Sequence, residues 1–124
     1  MRVDIVSDLH VEYWSALHHV FKWDTHRKSN TVIIAGDVAD TIERTIEELH
    51  KACDVYETVL YVDGNHESTQ HMHDLAKVPE LISIGMKDRP NFINLCTTDY
   101  IVDNMVFIGA NTWWDFKRQS KHRE

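Results

Sequence analysis

Apolar residues gather along the chain in short runs separated by longer polar stretches, and the spacing inside each run names the element it predicts. Thr31-Val32-Ile33-Ile34-Ala35 is a largely apolar, mostly β-branched run, the pattern of a strand buried on both faces. Val3–Val6 and Thr58–Val62 repeat that pattern. Ile42, Ile46, Leu49 and Cys53 fall at i, i+4, i+7 and i+11, with Glu43, Arg44, Glu47, Glu48 and Lys51 on the other faces, which predicts an amphipathic helix over 41–53. Trp14, Leu17 and Phe21 space a looser helix over 13–23, and 24–30 reads as a polar loop. Ser68 or Thr69 caps a further helix that runs to about Lys77 and stops near Pro79, with 81–91 irregular after it. Phe92–Leu95 reads as a fourth strand. Tyr100–Val102 and Met105–Ile108 flank Asp103-Asn104, a two-residue hairpin turn. One residue fits badly: Asp4 puts a carboxylate inside the first strand.

Strand, helix, strand, helix, strand implies parallel pairing through crossovers, each unit taking about 30 residues. Asp8 to Asp37 is 29 positions and Asp37 to Asn65 is 28, so three successive strand ends should lie along one sheet edge, where open α/β sheets place their ligands. Asp8 and His10 are two apart on an extended segment and leave the same face. A carboxylate beside an imidazole suits Mn, Fe, Zn or Co better than Ca or Mg. Asp37 can bridge two cations, Asn65 offers an amide oxygen, and His66 offers a proton. Plainer roles stand beside these. Asp63-Gly64 could make a hairpin turn, Asn65 could serve a positive φ, and Asp40-Thr41-Ile42-Glu43 fits a capping box.

At 124 residues the chain is sized for one domain, 1–124. Its composition, 43% apolar and 27% charged, is that of an ordinary globular protein. The formal net charge of -7 argues against non-specific binding to nucleic acid or anionic membrane. It leaves a phosphate substrate open, because bound cations reverse the local sign. Cys53 and Cys96 are isolated and read as reduced thiols of a cytoplasmic protein. The first strand begins too near Met1 to leave room for a signal peptide, and no apolar run approaches the roughly 20 residues of a membrane span.

Asp8-Leu9-His10, Gly36-Asp37-Val38-Ala39-Asp40 and Gly64-Asn65-His66-Glu67 resemble, in order and spacing, the first three signature blocks of the calcineurin-like metallophosphoesterases. Ile108-Gly109-Ala110-Asn111-Thr112-Trp113-Trp114 resembles the strand and turn that follow them. The resemblance implies an α/β two-sheet sandwich flanked by helices and hydrolysis of phosphate mono- or diesters by a metal-activated hydroxide at a dinuclear centre. By position, Asp8 and His10 would bind the first divalent transition metal, Asp37 would bridge, and Asn65 would bind the second. His66 would be the catalytic histidine and Asp40 the acid that orients it. Three further histidines of the family, one from a later block and two from a Gly-His-x-His block, have no counterpart, so the fold is expected to be incomplete at its carboxyl end. His71, His73 and His122 are poor substitutes by position.

The expected substrate is a phosphate ester, with nucleotides or nucleic acid among the candidates. Trp113-Trp114 reads as core or a covered flap, and the Lys117, Arg118, Lys121, Arg123 tail as a solvated end. The alternative function is a non-catalytic metal- or protein-binding module on the same scaffold. An unpaired sheet edge predicts self-association, or a partner chain that completes the fold.

Overall fold

In the computed structural model the described residues are 1–16, 19–71 and 76–111. The chain runs β1 (Asp4–Val6), α1 (Val11–Ala16), α2 (Trp23–His26), β2 (Thr31–Ala35), α3 (Ile42–Val55), β3 (Thr58–Val62), a 3-10 helix (His66–His71), α4 (Lys77–Gly85), β4 (Phe92–Asn94), β5 (Tyr100–Val102) and β6 (Met105–Phe107). β1 to β4 form a parallel sheet in that order, and β5 and β6 form a separate antiparallel pair. This is the mixed α/β architecture with two sheets and flanking helices that the resemblance implied.

The β-branched runs fill the centre. Val32, Ile34, Val59, Leu60 and Tyr61 have no measurable exposure, and β2 and β3 pair along their whole length from Thr31↔Thr58 to Ala35↔Val62. The helix stripe packs onto this sheet: Ile42, Leu49, Ala52 and Cys53 of α3 are buried, joined by Val78 and Ile82 of α4. Ile46, although on the same stripe, is only partly buried. Its tip lies against Gly85, where an added Cβ would stand 2.9 Å from Ile46 Cγ1. No helix among the described residues is long and apolar enough to cross a membrane.

Four elements depart from expectation. The looser helix spaced over 13–23 is instead α1 over Val11–Ala16 and α2 from Trp23, with 19–22 in neither. Pro79 was read as a stop, yet it is the third residue of α4, in the first turn, where a missing N–H and a fixed φ cost nothing. The helix therefore takes in 81–85 of the stretch expected to be irregular, and 86–91 lie outside it. The 24–30 loop contains the rest of a helical turn that starts at Trp23, a residue 3% exposed that donates its indole N–H to Glu48 at 2.9 Å, a partner 25 residues away. Over His66–His71 the chain forms a 3-10 helix, not the start of an α-helix capped at Ser68 or Thr69; 72–75, within that expected helix, lie outside the described residues. The hairpin turn is as expected, with Asp103 and Asn104 both at positive φ as a two-residue primed turn requires.

Asp4, the misfit of the first strand, is explained by its partners. Its Oδ2 accepts from Tyr56 Oη at 2.6 Å, from Lys28 N at 2.8 Å and from Ser29 N at 3.4 Å. The carboxylate closes the amino end of the sheet and does not intrude on the core.

Candidate active site

The register aligns Val6 with Ile34 and Ile34 with Tyr61, so β1, β2 and β3 end at one level and their following residues emerge together. The backbone there is bent into an unusual shape. Asp8, His10 and Asp37 have φ of 56°, 47° and 56°, and Gly36 has 77°. Non-glycine residues in this left-handed region carry strain that concentrates at functional sites. The bends hold because the turns brace one another: Asp8 N donates to Gly36 O at 3.1 Å, His10 N to Asp37 O at 3.1 Å and Val11 N to Val38 O at 2.9 Å. Gly36 and Gly64 then meet backbone to backbone, and a Cβ on Gly36 would lie 2.7 Å from Gly64 Cα.

This bracing brings together most of the residues singled out in the sequence. His10, Asp37 and His66 present ligand atoms within 4.8 Å of one another, and His10, Glu12 and Asp40 form a second such group. The His10 and His66 rings meet edge to face with centroids 4.5 Å apart. Asp8 stands to the side. Its Oδ1 is 3.8 Å from His10 Nε2, its side chain is 63% exposed, and it belongs to neither group. Asn65 lies against Asp37 with its amide oxygen toward both carboxylate oxygens; turned over, its NH₂ donates to them at 3.0 and 3.1 Å. Asp40, offered above as a helix cap, is not one. Thr41 caps α3, accepting from Arg44 N at 3.2 Å, and Asp40 Oδ1 instead lies 2.6 Å from His66 Nδ1.

That pair sets the electrostatics. A carboxylate can only accept, so Nδ1 carries the proton and Nε2 is the ring atom left for other chemistry. The hydrogen bond to Asp40 is the main reason the His66 pKa is raised, against partial desolvation, with the Asp37 charge adding to it. Behind the turn, Glu67 is 1% exposed and accepts from Tyr61 Oη at 2.6 Å and Gly64 N at 3.2 Å. Burial pushes its carboxyl up to about 7 despite those two bonds. Asp63 is held by Cys96 Sγ at 2.8 Å and Asn111 Nδ2 at 3.1 Å. Burial and the contact with Asp63 push the Cys96 thiol up to about 12.

Do these residues fit a divalent metal? The donor set mixes imidazole with carboxylate and amide oxygens, which suits first-row transition metals. His10 Nδ1 is buried with no hydrogen-bond partner among the described residues. The set fits. An open cavity of about 460 Å³ is lined by Asp37, Asn65 and Asn111 among others. A larger apolar hollow of about 840 Å³ beside Ile5 and Trp14 is lined by none of His10, Asp37, Asn65 and His66, whereas the smaller one shares Asp37 and Asn65 with the site, though neither imidazole lines it.

The sequence profile of the calcineurin-like phosphoesterases matches residues 1–122. The chain belongs to that family. It is also similar to an uncharacterized protein of Acanthamoeba polyphaga mimivirus, 27% identical over 121 residues that cover 87% of this chain and 42% of the relative. The chain thus spans less than half the length of that relative. No solved structure matches it.

Family membership implies divalent metal ions and a phosphoesterase type of chemistry, and the His10–Asp37–His66 group is a candidate place for a metal. One residue escaped the sequence reading. Glu12, two positions after His10, lay outside both the strand end and the helix expected from 13. His18, His73, His122, Trp113, Trp114 and the basic tail lie outside the described residues.

Proposed function

We propose that this chain is a phosphoester hydrolase, acting on phosphate mono- or diesters, in which His10, Asp37 and Asn65, with Asp8 drawn in, hold divalent transition metals such as Mn, Fe, Zn or Co. The single observation that carries the reading is the Asp40–His66 pair at 2.6 Å, set beside a second imidazole and a carboxylate. A mere scaffold has no use for an oriented, half-exposed imidazole. When bound, such ions supply Lewis acidity toward phosphoryl oxygens and a water nucleophile usable at neutral pH. His66, held through Nδ1, presents Nε2 to the substrate, where its raised pKa suits it to neutralise a phosphoryl oxygen or protonate the departing one. Asp40 fixes the tautomer and steadies the positive ring. The cavity beside Asp37 gives the ester room, and nucleotides or nucleic acid remain within the proposed substrate class.

Two further readings complete the proposal. The free thiols Cys53 and Cys96 support a cytoplasmic location. The outer edge of β1, with Ile5 67% exposed, and the β5–β6 pair, with Ile101 in β5 and Ile108 just past β6 both exposed above 70%, support self-association or a partner chain.

The test is metal content together with hydrolysis of an aryl phosphodiester in added manganese. Asp37→Asn and His66→Gln should each lower turnover on the order of 10²–10³-fold, with bound metal lost only in the first. A wild-type chain that binds metal without turnover would establish the alternative, a non-catalytic binding module. That alternative draws on one observation: Asp8 stands outside both ligand groups.

A further inference from the structure

Glu12 is the acid that the roles above leave unused. Its Oε2 accepts the backbone N–H of Asp40. Its Oε1 is buried with no hydrogen-bond partner among the described residues. Glu12 belongs to the first turn of α1, and that turn is pinned to the β2 loop through Val11 N on Val38 O at 2.9 Å and His10 N on Asp37 O at 3.1 Å. Asp40 lies one residue before Thr41, the cap of α3, so its N–H belongs to neither strand nor helix. Glu12 therefore holds the backbone of the residue whose side chain holds His66. Two acidic side chains placed together repel, so the placement costs something. The hydrogen bond is what offsets it.

We propose that Glu12 is a positioning residue. By accepting the Asp40 N–H it fixes the Asp40 carboxylate at the distance that keeps the His66 ring in register, and it acts through acceptor geometry, not charge. The inference rests on the reading of Asp40–His66 as the working pair. The structure offers a competing role, since His10, Glu12 and Asp40 could together hold a cation. Two substitutions separate them. Glu12→Gln removes the charge and keeps an oxygen at full reach; Glu12→Asp keeps the charge and withdraws the oxygen by one methylene.

The experiment is steady-state hydrolysis of an aryl phosphodiester with manganese by the full chain, alongside metal content and the NMR resonance of the His66 Nδ1 proton in metal-free protein. Glu12→Asp should lower kcat about 10–100-fold with KM and metal content little changed, should lose or shift the Nδ1 resonance, and should cost nothing further when Asp40 is already Asn. Glu12→Gln should stay within about threefold of wild type, since a displacement smaller than about 1 Å is needed to preserve rate. The reverse ranking, Gln impaired with loss of bound metal and Asp normal, overturns the proposal in favour of a ligand. If the wild type shows no turnover, the hydrolase reading has failed, and the Nδ1 resonance alone decides Glu12: unchanged in Glu12→Asp, it overturns the positioning role.

Discussion

The two ends of the parallel sheet are built from the same kinds of residue and settled differently. At the amino end, Asp4 takes three donors, and Arg27 spreads its guanidinium over Ser29 O, Val55 O and Asn30 Oδ1 at 2.6–3.0 Å. Asn91 bridges the carbonyls of Cys53 and Tyr56 at 3.0 Å each. At the carboxyl end lie Asp8, His10 and Asp37 in the left-handed region, together with His10 Nδ1, Glu12 Oε1 and Glu67 Oε1, buried without partners among the described residues. A carboxylate whose acceptors are filled is part of the frame. One held in strain beside unfilled groups is waiting for something the chain does not itself provide.

Breaking the carboxyl end should give the largest effect. In Gly64→Ala the new methyl falls on the Asp37 carboxylate and backbone N; bound metal should be lost and hydrolysis should drop on the order of 100-fold, read by metal analysis and turnover. A normal metal content would contradict the picture of two turns in backbone contact.

The next effect is on stability, and its sign identifies the end. Glu67 is raised from 4.5 to about 7 in the folded chain. Its contribution is therefore full below about pH 4.5 and is lost as pH rises through about 7, when the buried carboxyl must ionise. Glu67→Gln, which cannot ionise, should gain on the metal-free wild type between pH 5 and 8, by up to about 3 kcal/mol, followed by thermal melts across that range. A pH-independent difference would show that burial of the carboxyl is not what shifts it.

The amino end should answer with the opposite sign and less. Burial acts to raise the Asp4 pKa, but the bonds from Tyr56, Lys28 and Ser29 outweigh it and the net shift is downward. That contribution is present above the ordinary carboxylate range and is lost as pH falls through the depressed value. Tyr56→Phe removes the shortest of those bonds and should cost about 1 kcal/mol at neutral pH, with a smaller penalty in acid and no change in kcat. Altered turnover would mean that the two ends are not independent.

What could be read from residues alone follows the same division. β2, β3, α3 and the Asp103-Asn104 turn were legible because each is specified by its own neighbours in sequence. Trp23 on Glu48 and Tyr56 on Asp4 were not, because the partner that makes sense of each lies 25 and 52 residues away. Pro79 misled because the same ring ends one helix and opens another, and only the position of the turn distinguishes the two. Among candidate site residues, Asp8, Asp37 and Asn65 stood out by recurring at unit spacing, with His10 and His66 beside them. Asp40 admitted two roles that only the geometry could separate, and Glu12 carried no periodic signal at all.

The meeting of Gly36 with Gly64 has a consequence for how this protein can vary. The gap between the turns that carry Asp37 and Asn65 is set by main chain touching main chain, with no side chain interposed as a spacer. A change of side chain elsewhere on either turn therefore cannot widen or narrow that gap by acting as a spacer, and only a shift of the strands themselves can.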